Sequence, residues 1–150
     1  MGLDMYLTAR RSFWDYQDEG VGAARVQALF DELPDDIETS GTSVSVQFGY
    51  WRKANAIHNW FVQNVQGGED NCQESWLSPD DMQKLLDTVN KVLADTSLVP
   101  TLLPTTSGFF FGGTEYDEWY WRNLEYTKRV LEKALDPAMD KWSFYYQASW

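Results

Sequence analysis

Three stretches in which apolar and polar residues alternate constrain this chain more than any other feature. Leu3, Met5 and Leu7 alternate with Asp4, Tyr6 and Thr8. Val44, Val46, Phe48 and Tyr50 alternate with Ser45, Gln47, Gly49 and Trp51. Trp142, Phe144, Tyr146, Ala148 and Trp150 alternate with Ser143, Tyr145, Gln147 and Ser149. A period of two sends successive side chains to opposite faces, so each stretch reads as a strand with one face on a core. Between the strands, apolar residues recur at helical spacing. Val26, Leu29, Phe30 and Leu33 predict a short helix over 22–33 ended by Pro34, followed by a polar loop over 35–42. Ala54, Ile57, Phe61 and Val65 predict a helix over 52–65, stopped by Gly67 and Gly68. Met82, Leu85, Leu86, Val89 and Leu93 predict a helix from Pro79 to about Asp95, with Ser78 as its cap and Asp80 and Asp81 at its positive end. Tyr120, Leu124, Val130, Leu131 and Ala134 predict a last helix from Thr114, with Asp117 completing a capping box, to about Pro137. Residues 69–77 read as an irregular loop, and 107–113 as a short strand or a buried loop. The pattern is that of an α+β protein: a small, mainly antiparallel sheet packed against two or three helices in one globular domain over 1–150. The first and last strands are candidates for neighbours, while strand order stays open.

The aromatic load, 8 Trp, 8 Tyr and 8 Phe, supplies ample surface to bury and excludes disorder over most of the length. No stretch approaches the roughly 18 apolar residues of a membrane span, and the N-terminus lacks a basic segment before an apolar run, so neither a span nor a signal peptide is expected. A single cysteine, Cys72, forms no internal disulfide, which suits a reducing cytoplasm. One histidine, His58, and one cysteine fall short of the three or four ligands of a zinc site, and no cofactor or metal is expected. A carboxylate-only magnesium or calcium site stays open, although no calcium-loop motif is present. The net charge is −11, spread along the chain without an acidic tail or basic arm. Direct nucleic-acid binding is therefore not expected. Such a charge suits docking on a basic protein surface instead, including one that normally holds DNA or RNA.

Candidate chemistry concentrates in Tyr50–Phe61, where a strand is expected to run into a helix. Arg52, Asn55 and Asn59 would share one helix face, with Arg52 offered to a phosphate or carboxylate and the asparagines to a base or sugar edge. Trp51 and Trp60 would stack on a ring. The competing account has the asparagines bonding local backbone and Arg52 pairing with a nearby acid. His58 lies beside the apolar stripe, where a satisfied core histidine is commoner than a general base. Asp4 sits on the polar face of the first strand and would pair with Arg52 or Lys53. Tyr116, Trp119, Tyr120 and Trp121 are too close in sequence for all to face a core, which implies a second contact surface. Cys72, in a polar loop, carries none of the local signatures of a cysteine nucleophile, and no P-loop, dinucleotide fingerprint or nucleophile elbow occurs.

Five segments together, MGLDMYL at 1–7, GYWRKANAIHNWFV at 49–62, the GGEDNC loop, GFFFGGTEYDEWYW at 108–121 and the YYQASW end, resemble a family of small bacterial and phage proteins with no assigned activity. The resemblance implies an intracellular protein encoded on mobile DNA and transfers no catalytic residue. Three functions are carried forward. The first is a non-enzymatic binding protein, such as a phage accessory protein. Its aromatic-rich pocket, built from Asp4, Trp51, Arg52, Asn55, His58, Asn59, Trp60, Tyr116 and Trp119, would hold a small polar or nucleotide-like ligand. The second is an acidic inhibitor of the anti-defence or anti-CRISPR type, mimicking nucleic acid on a basic host protein. The third is a small hydrolase or transferase using His58 with Asp4 or Asp117. Exposed aromatics also allow a homodimer.

Overall fold

The computed structural model of the chain describes residues 2–14, 20–31 and 41–150. Four strands, β1 (Asp4–Phe13), β2 (Thr42–Arg52), β3 (Ser75–Leu77) and β4 (Ser143–Ser149), form one antiparallel sheet in the order β2-β1-β4-β3. Helices α1 (Val21–Phe30), α2 (Asn55–Asn64), α3 (Pro79–Ala94), the single turn α4 (Val99–Leu102) and α5 (Glu118–Ala134) complete the α+β fold. The first and last strands pair directly, from Asp4 opposite Ser149 to Arg10 opposite Ser143. The short strand β3 lies inside the stretch expected to be an irregular loop: Ser75, Trp76 and Leu77 pair with Tyr146, Tyr145 and Phe144. The segment 107–113 is loop.

Alternation decides which sheet face is dry. Leu3, Met5, Leu7 and Ala9 from the β1 side, and Phe144, Tyr146 and Ala148 from β4, are all fully buried and meet α2, α3 and α5 in one contiguous core. Phe61 of α2 stacks on Tyr146 with ring centroids 3.9 Å apart. The opposite face carries Asp4, Tyr6, Thr8 and Arg10 with Tyr145, Gln147 and Trp76, half-buried or exposed.

Strand β2 departs from simple alternation, and the departure corrects the expected face of two residues. Leu7 pairs with Gly49 but Thr8 pairs with Gln47, so Phe48 is an extra residue in the ladder. A bulge of this kind reverses the phase of the side chains beyond it. Phe48 keeps an edge-on contact with the core ring of Phe144, while Tyr50 crosses to the open face and Trp51 turns inward. The buried Trp51 indole donates 2.8 Å to the Thr127 hydroxyl of α5. Gly49 faces α5 with no room to spare: a β-carbon there would lie 3.1 Å from both the Trp51 ring and the Val130 methyl.

Helix starts follow local chemistry. Ser78 and Asp81 form a reciprocal capping box ahead of α3, with Pro79 in the first turn. The buried stripe of α3 is Met82, Leu85, Leu86, Val89 and Val92, with Leu93 only half-buried. Asp117 is itself the N-cap of α5, accepting from the Tyr120 amide at 3.1 Å, so the helix starts at Glu118 and not at Thr114. Helix α2 starts at Asn55, later than expected, because Arg52 still belongs to β2 and Lys53 takes a left-handed backbone, φ 57°. In α1, Val26 is buried and Leu29 exposed. The Phe30 side chain, Leu33, the stop at Pro34 and the loop over 35–40 lie outside the described residues.

Gly49→Val is expected to lower stability by about 1–3 kcal/mol through overpacking against Trp51 and Val130. The urea midpoint of the variant checks this, and a wild-type midpoint would show that the bulge region yields freely.

Candidate functional site

The junction between β2 and α2 is where the chain opens a cavity. Leaving β2, the backbone turns at Lys53, whose amide donates to the Leu3 carbonyl at 2.8 Å. A left-handed conformation costs a non-glycine residue on the order of 1 kcal/mol, and such positions concentrate at functional sites. Gly112, also with positive φ at 86°, lies against the same lysine: a β-carbon at 112 would come within 3.1 Å of the Lys53 side chain. Asn55, buried at the first turn of α2, holds the facing loop in place. Its amide nitrogen donates to the carbonyls of Phe111 (3.1 Å) and Gly113 (2.9 Å), and its carbonyl accepts from the Thr106 amide (3.0 Å). One side chain thus binds the loop at three points, before the FFF run at Thr106, at its last residue Phe111 and after it at Gly113. The Thr105 hydroxyl closes the base of the loop on the Thr114 carbonyl at 2.8 Å, and the Leu3 amide bonds the Phe110 carbonyl at 3.0 Å.

The cavity, open to solvent on one side, measures about 360 Å³, within the size range of small-molecule pockets. Arg52 and Lys53 form one wall, Glu115 and Asp117 another, and Trp119, Tyr120 and Asn123 of α5 a third. The Trp119 ring is 67% exposed, with the Arg122 guanidinium 5.2 Å from its centre. Such a packing partner leaves the indole accessible as a stacking surface. Tyr120 is buried below it and donates to the Leu103 carbonyl at 2.8 Å; burial pushes its phenol well above the ordinary range. Among the described residues, the Lys53 ammonium has no ion-pair partner.

Of the residues singled out in the sequence, Arg52, Asn55 and Trp119 line this cavity. Asn55 does so as a structural clasp, with its amide groups already engaged by backbone. Asp4 lies beside the cavity on the open sheet face, 3.9 Å from the Arg52 guanidinium, and accepts a hydrogen bond from the Tyr50 hydroxyl. That bond holds the Tyr50 phenol above its usual value. Tyr116 rests edge-on against Tyr120 next to the cavity. The other four residues are elsewhere. Trp51 is core. Trp60 is buried against Phe61, and Asn59 is half-buried on α2 away from the cavity walls. The expected shared face of Arg52, Asn55 and Asn59 does not form, because Arg52 precedes the helix. Glu115 and Asn123 were not among the singled-out residues; Lys53 entered only as a partner for Asp4, and Asp117 only as a helix cap and a carboxylate for His58. The adjacent Arg-Lys pair at a strand-to-helix junction was the available signal for Lys53.

His58 belongs to a separate buried network. It is 1% exposed, with Nδ1 2.7 Å from the Tyr146 hydroxyl and Nε2 2.9 Å from Asp70 Oδ2. A carboxylate only accepts, so Nε2 carries the proton given to Asp70, and in the neutral ring Nδ1 then accepts from the Tyr146 hydroxyl. The other Asp70 oxygen accepts from the Trp150 indole at 3.0 Å. Both imidazole nitrogens are occupied, and the carboxylate beside the ring is Asp70, neither Asp4 nor Asp117. Burial raises the Tyr146 phenol far above its ordinary value. Among the described residues no group of three or more His, Cys, Asp or Glu side chains is placed to hold a metal ion, and no helix is long and apolar enough to cross a membrane.

No protein-family model, curated protein or solved structure matches the chain.

Two outcomes follow from these networks. Asn55→Ala leaves two carbonyls and an amide without partners, and is expected to cost about 1–3 kcal/mol while speeding amide exchange across residues 105–113. Wild-type exchange rates in that loop would refute the clasp. Unfolded tyrosines ionise near pH 10, whereas Tyr146 and Tyr120 stay protonated well above that in the fold. In the interval the folded state holds more protons, so stability is complete below about pH 10 and falls as pH rises toward the folded values. Urea midpoints should decline above about pH 10, and the double change Tyr120→Phe with Tyr146→Phe should flatten that decline.

Proposed function

We propose that the chain is a non-enzymatic binding protein. Its cavity takes a small polar molecule bearing a ring and an anionic group, as in a nucleoside monophosphate. The observation that carries this reading is that two cations, Arg52 and Lys53, the latter without an ion-pair partner among the described residues, line the same cavity of about 360 Å³ as the exposed indole of Trp119. Arg52 and Lys53 suit a phosphate or carboxylate, the first by its planar fork and the second as a point charge. Trp119 offers the stacking face. Glu115 and Asp117 on the opposite wall accept from ring or sugar donors. The strained backbone at Lys53 supports the reading, since the fold keeps lysine where glycine would fit more easily. His58 is not the base of any chemistry in this cavity, because it lies outside the cavity walls with both nitrogens engaged. The acidic-inhibitor reading draws no support from the open sheet face, whose charges are paired as Arg10 with Glu74 and Arg52 with Asp4.

The test is isothermal titration calorimetry with adenosine, guanosine, cytidine and uridine monophosphates. Saturable binding of at least one is expected, lost in Trp119→Ala and weakened at least about tenfold in Lys53→Gly. The lysine variant should keep its stability within about 1 kcal/mol, because glycine relieves the left-handed strain as it removes the charge. Absence of saturable heat with all four nucleotides up to about 10 mM, or binding indifferent to both changes, overturns the proposal.

A further inference from the structure

The two edges of the sheet are managed differently. Strand β3 is an edge of only three residues, too short to template much pairing. Strand β2 is an edge of eleven. Helix α5 closes one end of it, where the Tyr50 amide donates to the Tyr126 hydroxyl at 3.1 Å. Over residues 42–48 the outward backbone groups have no partner among the described residues. Charge and proline, two of the usual protections of an open edge, are also missing there, and the bulge at Phe48 marks the end of the regular run. The stretch Thr42-Ser43-Val44-Ser45-Val46-Gln47-Phe48 contains no charge and no proline, and residues 41–51 carry no charged side chain in a chain of net charge −11. Val46 is 44% exposed although it lies on the same sheet face as the buried Ala9 it pairs with.

We infer that β2 pairs with β2 of a second copy of this chain, antiparallel and about a two-fold axis through Ser45, to make one eight-stranded sheet. The occupant follows from charge and pattern. Two molecules of −11 repel, and an uncharged edge is where they can approach without setting like charges opposite each other. An antiparallel strand paired with itself about a residue keeps each residue facing one on the same sheet face. Centred on Ser45, the pairing sets Val44 against Val46 of the second copy, twice by symmetry, and Ser43 against Gln47 of the second copy. It uses Ser43 to Gln47 and stops short of the bulge at Phe48 and of the end closed by Tyr126. Apolar meets apolar on the inner face, and polar meets polar on the outer face.

Sedimentation analysis of the full chain at about 100 µM tests this. Wild type is expected at twice the 17.4 kDa monomer mass. Ser45→Lys and Ser45→Glu each place like charges against each other at the axis, and each is expected to raise the dimer dissociation constant at least about tenfold. An equimolar mixture of the two variants should restore the dimer, since lysine then faces glutamate. Ser45 is exposed, so both variants should keep the wild-type circular dichroism. Independently of any variant, amide exchange of wild-type residues 42–48 should slow as protein concentration rises. A wild-type monomer at about 1 mM, a dimer that both variants retain, a mixture that stays monomeric, or exchange at 42–48 indifferent to concentration overturns the inference.

Discussion

One extra residue in the β1–β2 ladder governs much of this structure. A sheet with helices on one side must put its apolar residues on that side, and strict alternation along β2 would have sent Tyr50 inward and Trp51 outward. The bulge at Phe48 reverses the phase for the residues that follow. Trp51 becomes the largest of the fully buried side chains and anchors α5 through Thr127. Tyr50 reaches the open face and engages Asp4. Arg52 emerges beside the cavity instead of beneath α5. Gly49 permits the arrangement because a side chain there would press on Trp51 and Val130. The hairpin, the last helix and the cationic wall of the cavity all depend on this shift.

The cavity itself rests on a second constraint. The loop carrying Phe109, Phe110 and Phe111 has no regular secondary structure, so its backbone groups need partners from elsewhere. Asn55 supplies three of those bonds, and Leu3 supplies another. Fixed in this way, Phe111 meets the His58 ring edge-on, and Gly112 beyond it lies against Lys53. The amide expected to read a ligand instead builds the wall that a ligand would meet. The histidine expected to be either base or core filler is held by Tyr146 and Asp70, in a network that ties α2 to β4 and, through Trp150, to the chain end.

The strand pattern at 3–7 and 142–150, the stripes of α3 and α5 and the capping box at Ser78 were legible in the sequence because each arises from a local rule of period or capping. The short strand β3 was not. Three residues give no period, and Ser75–Leu77 becomes a strand only because β4 offers it an edge. The site was partly legible. Arg52 and Trp119 stood out by residue type, but whether they approached each other depended on a loop folded back from fifty residues away. Asn59, Trp51 and Trp60 looked equally suited and are turned elsewhere, because helix α2 starts at Asn55 and the bulge turns Trp51 inward.

By itself, then, the sequence determined the α+β class, the antiparallel tendency of the strands and the faces that α3 and α5 bury, since binary pattern and propensity act within a few residues. It also determined the acidic balance, which belongs to composition alone. Tertiary structure decided the order β2-β1-β4-β3, the phase reversal at Phe48, the pairing of His58 with Asp70 and Tyr146, and the joining of Arg52, Lys53 and Trp119 around one cavity. Each of these is a meeting of segments remote in sequence. Such meetings are selected by the shared demand to bury apolar surface while satisfying every buried polar group, a condition defined only for the whole chain.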